Sequence, residues 1–577
     1  MNKLPKLLLV IALIVSANVV CRAYSANHYV GFTSDPVGGI KYPTSESGLN
    51  AALSAAALDG GVVYVARGVT LYLENQLQIN ARVIGGCNPA GDGSQKTAIG
   101  AANSVTSNMT VLDGNSFRHP RRDEKHRVAT VNAGGIIENC LIRNGHARGT
   151  TNDPNDLNGH GGGVLLNGGK LYNCIIRGNV AMNVEHQPTT KSSGGGVYIT
   201  SNGGEVVNCI IAFNMDDKGV GIDGKGGTSI NSTIAYNTQT PTWVNIPRGI
   251  YQHYGTFANN KTPQGAYIYL DSFYIASTEC TSGQYACFMA AVDMGSYDGR
   301  NPPYLSYADR DEMIEANAPA AGYGNIKVKD YAVLDWGSTE YWGGAGTTIG
   351  GTARYIWNIL SVSTSASYSG LSQNDNAVWY PNKGGTTAGP NEAIRRDNYS
   401  MAFVSWWGSL AFSLWIGGCL PTEAQWEYAA RQDASGTNNS YLYAGSDVIN
   451  EVAWYNAPYY AHEVAKKAGT AKGLYDMSGN VMEWCLDPFG DYLSGAGTTI
   501  PTTGKWLVSG SVDNDGTNES NPIHNPVAVP VHRTSSARLL RGGSFAHTAT
   551  YCSIGYRNGD SPNSCSYAGG FRSVCYP

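Results

Sequence analysis

The chain has 577 residues, too many for one hydrophobic core, so two or more domains are expected. It carries 72 Gly, 36 Tyr and 12 Trp, only 14% charged residues and a formal net charge of −5. That balance suits turn-rich β structure and excludes a nucleic-acid partner held by charge, since no basic run stands out.

The first element is an export signal. Lys3 and Lys6 precede an apolar run from Leu7 to about Val20, followed by Cys21-Arg22-Ala23. A charged start, a short apolar run and a small residue before a cut after Ala23 have that form. The run is short for a membrane span, and no later stretch qualifies. The expectation is a secreted or cell-surface protein of a bacterial envelope. Cys21 raises lipid anchoring, although Asn18-Val19-Val20 lacks the small residue usual before a lipidated cysteine. The chain's 12 cysteines permit disulfides in an oxidising compartment.

From about Gly60 to Asn237 the sequence repeats. Residues 136–144, IIENCLIRN, return as LYNCIIRGN at 171–179, VVNCIIAFN at 206–214 and INSTIAYN at 230–237, at spacings of 34, 35 and 23 residues. A second element, GGVLL at 162–166, recurs as GGVYI at 195–199. Short β-branched runs between Gly/Asn turns at such periods signal a solenoid, because one coil cannot bury its apolar face alone. The pattern resembles a right-handed parallel β-helix of the pectate-lyase type and places that domain at 27–240. Cys140, Cys174 and Cys209, with Ser232 following, are expected to fill the coil interior. Asn139, Asn173, Asn208 and Asn231 are expected to stack as a ladder at a bend. Many such helices cleave polysaccharides, which needs clustered carboxylates and a base; Asp153, Asp156 and His160 are the candidates for a lyase or hydrolase. A solvated Asn/Asp/Gly loop explains them equally well. Pro241 and Pro247 break the period and mark a domain boundary.

Beyond it, six segments occur in order: Trp243 to Gly249, Phe273 to Tyr285, Ala402 to Trp406, Leu420 to Arg431, Gly473 to Trp484, and Leu540 through Arg557 to Arg572. They resemble the formylglycine-generating enzyme (sulfatase-modifying factor) family. The resemblance implies an α+β, C-type-lectin-like fold over 243–577, with little regular structure, two short helices and an enlarged loop region from Gly299 to Asn391. Read without the family, Thr422 or Pro421 starts a helix with Glu423 in its first turn. Trp426, Ala429 and Ala430 then form a core stripe.

The resemblance also implies calcium held by Asp476, Glu483 and the carbonyls of Gly479 and Val481; several converging oxygens suit that hard cation. An Asx turn at Asp476, with Glu483 paired to an arginine, is the alternative. The family's oxidases use two cysteines five residues apart to hold Cu(I). Here the second position falls on Cys552 and the first on His547, so the dithiolate geometry is lost. Cys552 is therefore catalytic, and copper a cofactor, only if the protein is a copper-dependent oxidase that converts a substrate cysteine to formylglycine. A Cys485–Cys552 disulfide is the other role the resemblance offers. Between Gly543 and Phe571 there is no Lys, Glu, Gln, Met or Trp. That stretch resembles the variable region of proteins diversified by retroelements, and Tyr, Ser, Gly, Asn and His are what adaptable binding faces use. The expectation is an exported ligand-binding protein contacting an unidentified protein or glycan through segment 544–570. Its candidate contacts are Ser544, His547, Tyr551, Ser553, Tyr556 and Tyr567, with Trp484 nearby.

Overall fold

The computed structural model describes residues 27–33, 39–88, 109–114, 125–149, 157–182, 191–252 without 236, 267–292, 347–349, 352–354, 398–489 without 403, 405, 437 and 458–460, 523–524, and 537–575 without 563, 565 and 567. The export signal with Cys21, Asp153, Asp156 and Tyr567 therefore lie outside the described residues, as does the Gly299–Asn391 loop apart from one short strand pair. No described helix is long and apolar enough to cross a membrane.

The N-terminal lobe is a stack of coils. Its strands form four parallel sheets of eight, six, five and four members, and neighbours within a sheet come from successive coils. The sequence repeat is the register: Leu141 lies opposite Ile175, Ile175 opposite Ile210, and Ile210 opposite Thr233. Cys140, Cys174 and Cys209 are buried in the interior, as expected of small filling side chains. Helix α1, Glu46–Asp59, closes the first end of the stack. Ser45 caps it by accepting from the Gly48 N–H at 3.1 Å, and it stops at Gly60, whose φ of 73° suits a residue without a Cβ. Leu49, Ala52, Leu53 and Ala56, on one helical face, join the coil core. The other end is open. Ile142, Ile176 and Ile211 are fully buried, whereas Ile234, next in their column, is 46% exposed. Ser229 and Ser232 follow the buried Val206 and Cys209 there, giving the last coil polar interior positions.

The asparagine ladder is not where it was expected. Asn139, Asn173, Asn208 and Asn231 take φ values of 58°, 53°, 53° and 49° and form the left-handed bends themselves. The stacked amides come one bend later. Asn179 Nδ2 donates to Asn214 Oδ1 at 2.9 Å, and Asn214 Nδ2 to Asn237 Oδ1 at 3.0 Å.

The smallest parallel sheet, His146–Arg148, Val180–Met182, Met215–Asp216 and Thr238–Gln239, carries the C-terminal lobe. Against it lie helices α2, Ser282–Val292, and α3, Trp406–Trp415. Val180, Met182 and Met215 share one core with Phe288, Ala291 and Trp415. Hydrogen bonds among the described residues stitch the seam, including Trp415 Nε1 to Asn144 Oδ1 (3.1 Å), Cys287 Sγ to the Asn214 carbonyl (3.5 Å), Gln284 Nε2 to the Gln239 carbonyl (3.1 Å) and Trp243 Nε1 to Met182 Sδ (3.5 Å). At Gly178 a Cβ would sit 2.2 Å from the Ala291 nitrogen, so only glycine admits the helix.

The C-terminal lobe is otherwise short strands and loops around helix α4, Glu423–Arg431. Among the described residues the lobe has three helices of nine or more residues, where two short ones were expected. One small sheet joins Trp243–Ile246, Phe273–Ala276 and Val574–Cys575, tying the start of the lobe to its end. Another orders Arg557–Asp560, Arg538–Arg541, Met482–Pro488 and Gly569–Gly570.

Candidate functional site

The C-terminal segment rests on a buried ionic floor. Thr422 caps α4 with both halves of a capping box: Thr422 Oγ1 accepts from the Gln425 N–H, and Gln425 Oε1 from the Thr422 N–H. Trp426, Ala429 and Ala430 form the expected core stripe, but burial is not confined to it. All nine of its residues are buried, because its charges are paired inside. Glu423 takes a two-pronged contact from Arg557 (2.7 and 2.9 Å), and Glu427 accepts from Arg541 (2.9 Å) and Arg431 (3.0 Å). Arg541 also donates to the Tyr556 carbonyl at 3.1 Å, which fixes the strand beneath the segment.

From that floor the chain turns through Gly542 and Gly543, at φ 89° and 69°. A Cβ on Gly543 would lie 2.4 Å from the Tyr551 carbonyl, so the glycine lets the two ends of the loop touch. The turn sorts the expected contacts into two sets. Ser544 and Ser553 are fully buried, with Ser544 Oγ 2.8 Å from His547 Nδ1 and Ser553 Oγ donating to the Thr550 carbonyl. Neither faces outward, and both are corrected to structural roles. Trp484 is also withdrawn: it is buried, and its Nε1 donates to the Val404 carbonyl. His547, Tyr551 and Tyr556 do come together. Their ring centroids are 5.4 Å apart for His547–Tyr551 and 4.8 Å, edge to face, for Tyr551–Tyr556. Tyr551 is 41% exposed, and Ala546, Thr548 and Thr550 beside it are exposed too. Burial pushes the His547 imidazolium pKa down and the Tyr556 phenol up, the latter helped by Tyr551.

The residues present do not fit a copper centre. Cys552 is sealed against Tyr443, Val452 and Ala453, its thiol 3.7 Å from the Ser544 carbonyl, and burial raises its pKa to about 12. A metal-binding thiolate needs the opposite shift. His547 Nδ1 is already engaged by Ser544. The disulfide alternative is overturned as well. Cys485 and Cys552 are both free thiols in separate apolar clusters.

The two carboxylates expected to hold calcium each have protein partners. Glu483 is closed by Arg572, whose Nε and Nη2 reach its two oxygens at 2.6 Å each, and Trp426 Nε1 donates to it at 2.7 Å. Arg572 also donates to the carbonyls of Ala276, Ser277 and Tyr475. Asp476 takes a left-handed turn at φ 57° and accepts from the Ala465 N–H, while its Oδ1 is buried without a hydrogen-bond partner. Burial raises its pKa to about 6. Among the described residues no three His, Cys, Asp or Glu side chains are grouped to hold a metal ion. The arginine-paired alternative describes Glu483.

In the coil lobe, His160 is stacked on Tyr198 at 4.4 Å, and its Nδ1 accepts from the Ser193 N–H at 3.1 Å. Burial first, then Lys218, lowers its pKa.

A neighbouring loop escaped the sequence reading. Residues 439–456 pack against the segment through hydrogen bonds from the Ile554 N–H to the Leu442 carbonyl (3.0 Å) and from the Asn456 N–H to the His547 carbonyl (2.7 Å). Tyr441 and Val448 on it are 42% and 52% exposed. The only signal was its aromatic density, Tyr441, Tyr443, Trp454 and Tyr455, in a chain rich in tyrosine throughout.

The profile of the sulfatase-modifying factor enzyme 1-like domain matches residues 231–576, more than half of the chain. The formylglycine-generating enzyme of Streptomyces coelicolor is 29% identical over 219 residues, and that of Thermomonospora curvata 28% over 209. These matches cover 34% and 33% of this chain, and the chain spans 60% of each enzyme's own length. Among solved structures, Treponema denticola variable protein 1 is 23% identical with a TM-score of 0.28, covering 58% of this chain and 95% of that one.

Proposed function

This chain belongs to the sulfatase-modifying factor enzyme 1-like domain family, and on that premise we propose that it is an exported, surface-associated ligand-binding protein. In this reading the stacked coils are a right-handed parallel β-helix that serves as a rigid platform. The C-terminal lobe presents a binding face on segment 544–570, diversified in the manner of retroelement-varied proteins. The observation that carries the reading is the sorting of one short turn: His547, Tyr551 and Tyr556 cluster towards solvent, while Cys552 is sealed beneath them. Rigid aromatic side chains give large contact area at low entropic cost. A buried, protonated thiol does not bind or activate a metal.

Two experiments test it. Oxygen uptake by the full chain with Cu(I) and a cysteine-containing peptide should stay at background; turnover abolished by Cys552→Ser would replace the binding reading with the oxidase. Sequencing the neighbouring DNA tests the diversification. A near-identical template copy of the segment beside a reverse transcriptase gene is expected, and its absence removes that part of the proposal.

A further inference from the structure

Four large apolar side chains exposed among the described residues border one segment. Tyr551 (41%) lies on it, and Tyr441 (42%) and Val448 (52%) lie on the loop hydrogen-bonded to it. Phe489 (38%) covers its far end, where a Cβ on Gly559 would lie 2.3 Å from the Phe489 ring and the Arg557 guanidinium is 5.5 Å from that ring. Scattered exposed apolar residues are ordinary, but a contiguous group marks an interaction surface. Only Tyr551 belongs to segment 544–570. The other three come from elements outside it: Tyr441 and Val448 from a loop anchored by the apolar cluster of Tyr443, Val452, Ala453 and Cys552, with Ile449 and Tyr455 packed on it, and Phe489 from the end of the strand Met482–Pro488.

The rim carries acid. Asp447 and Glu451 flank Val448 and are exposed, and Asp560 ends the strand beside Phe489. The nearest basic groups are engaged: Arg557 is locked on Glu423, and Lys467 donates to the Asn450 carbonyl while lying over the Trp454 ring. Apolar and tyrosine-rich contacts inside a charged rim are the anatomy of a protein-binding site. Among the described residues no three His, Cys, Asp or Glu side chains are grouped on this face to hold a cation that could bridge to sugar hydroxyls.

We infer that Tyr441, Val448 and Phe489 form the constant half of the binding face, and that its partner is a polypeptide surface with an apolar or aromatic anchor flanked by Lys or Arg. This rests on the ligand-binding reading of segment 544–570. The segment then chooses among partners, while the constant half supplies attraction common to all of them.

The probe is a random peptide library displayed on phage, selected against the immobilised full chain. Enriched peptides should pair aromatic or aliphatic residues with Lys or Arg and bind more tightly as salt is lowered. Val448→Asp and Tyr441→Ala should each weaken them at least about tenfold, as hot-spot truncations do, and Tyr551→Ala should weaken them as well. Unchanged melting temperatures show that the variants fold. Loss with Tyr551→Ala but not with Val448→Asp or Tyr441→Ala overturns the constant half and leaves the binding segment standing. A glycan array hit lost with Tyr551→Ala overturns the polypeptide partner alone. Failure to enrich any peptide also overturns the inference, whereas enriched peptides indifferent to all three substitutions sink the ligand-binding reading with it.

Discussion

The two lobes solve one problem, satisfying buried polar groups, by opposite means. In the coil lobe the backbone does most of it: strands bond to neighbouring coils, and the stacked amides of Asn179, Asn214 and Asn237 form a neutral column beside one buried ion pair, Arg143 with Asp113. The C-terminal lobe has few strands to share. There, ions replace the ladder, and Arg572 alone ties Glu483 to three carbonyls from two distant loops. Repetition lets the backbone ladder carry most of the load, whereas irregular chain leans more heavily on charged side chains as cross-braces.

That contrast predicts its own largest effect. Arg572→Ala should cost about 3–5 kcal/mol, because Glu483 would be left buried and unpaired. Urea denaturation of the full chain measures it. In the coil lobe, Lys170→Ala removes a pair with Glu205 whose side chains are 40% and 42% exposed, so no measurable change is expected. Comparable losses at the two positions would erase the distinction between the lobes.

Asn214→Ala comes next, at about 2 kcal/mol, since it strands the Asn179 amide and the Ile176 carbonyl at once. The coil and the C-terminal lobe share one core across Val180, Met182 and Met215, so a single unfolding transition should shift. Two transitions, with only the lower one displaced, would show that the seam does not couple them.

How much of this was legible follows the same divide. The coil register could be read because the repeated string is the register, down to the shortened last spacing. The ladder was misplaced because each coil offers two asparagines, and sequence alone does not say which one adopts the left-handed bend. In the C-terminal lobe the segments and the α4 cap were legible, but the ion partners were not. Glu483 and Arg572 are 89 residues apart, and no local pattern announces their meeting. Ser544 and Ser553 were misjudged because the double-glycine turn decides which side chains face inward.

Asp476 sharpens the comparison through pH. Its carboxyl pKa rises from 3.8 unfolded to about 6 folded, so the native state binds the extra proton. The stability this brings is complete below pH 3.8 and is lost as pH rises through about 6. Asp476→Asn should therefore be more stable than the parent at pH 7.5, by about 1 kcal/mol, with the gain vanishing near pH 4. Asp216 in the coil lobe is raised in the same way and remains in both proteins, so the difference isolates position 476. Thermal melts at the two pH values, with and without calcium, decide. A calcium-dependent melting temperature abolished by Asp476→Asn would restore the cation in place of the Arg572 pairing.

A small effect is the one that function needs. Tyr551→Ala removes a side chain whose neighbours are two partly exposed rings, His547 at 5.4 Å and Tyr556 at 4.8 Å. Such a pair contributes about 0.5–1.5 kcal/mol when buried, and at 41% exposure the net change should stay within about 0.5 kcal/mol. Cys552, the next residue, is fully buried, and Cys552→Asp should unfold the lobe by placing a charge in its apolar cluster. One residue of separation would then divide a position free to vary from one that is fixed. If Tyr551→Ala costs more than about 2 kcal/mol in urea denaturation, the aromatic turn is core rather than face. A segment so constrained could not be diversified without losing the fold.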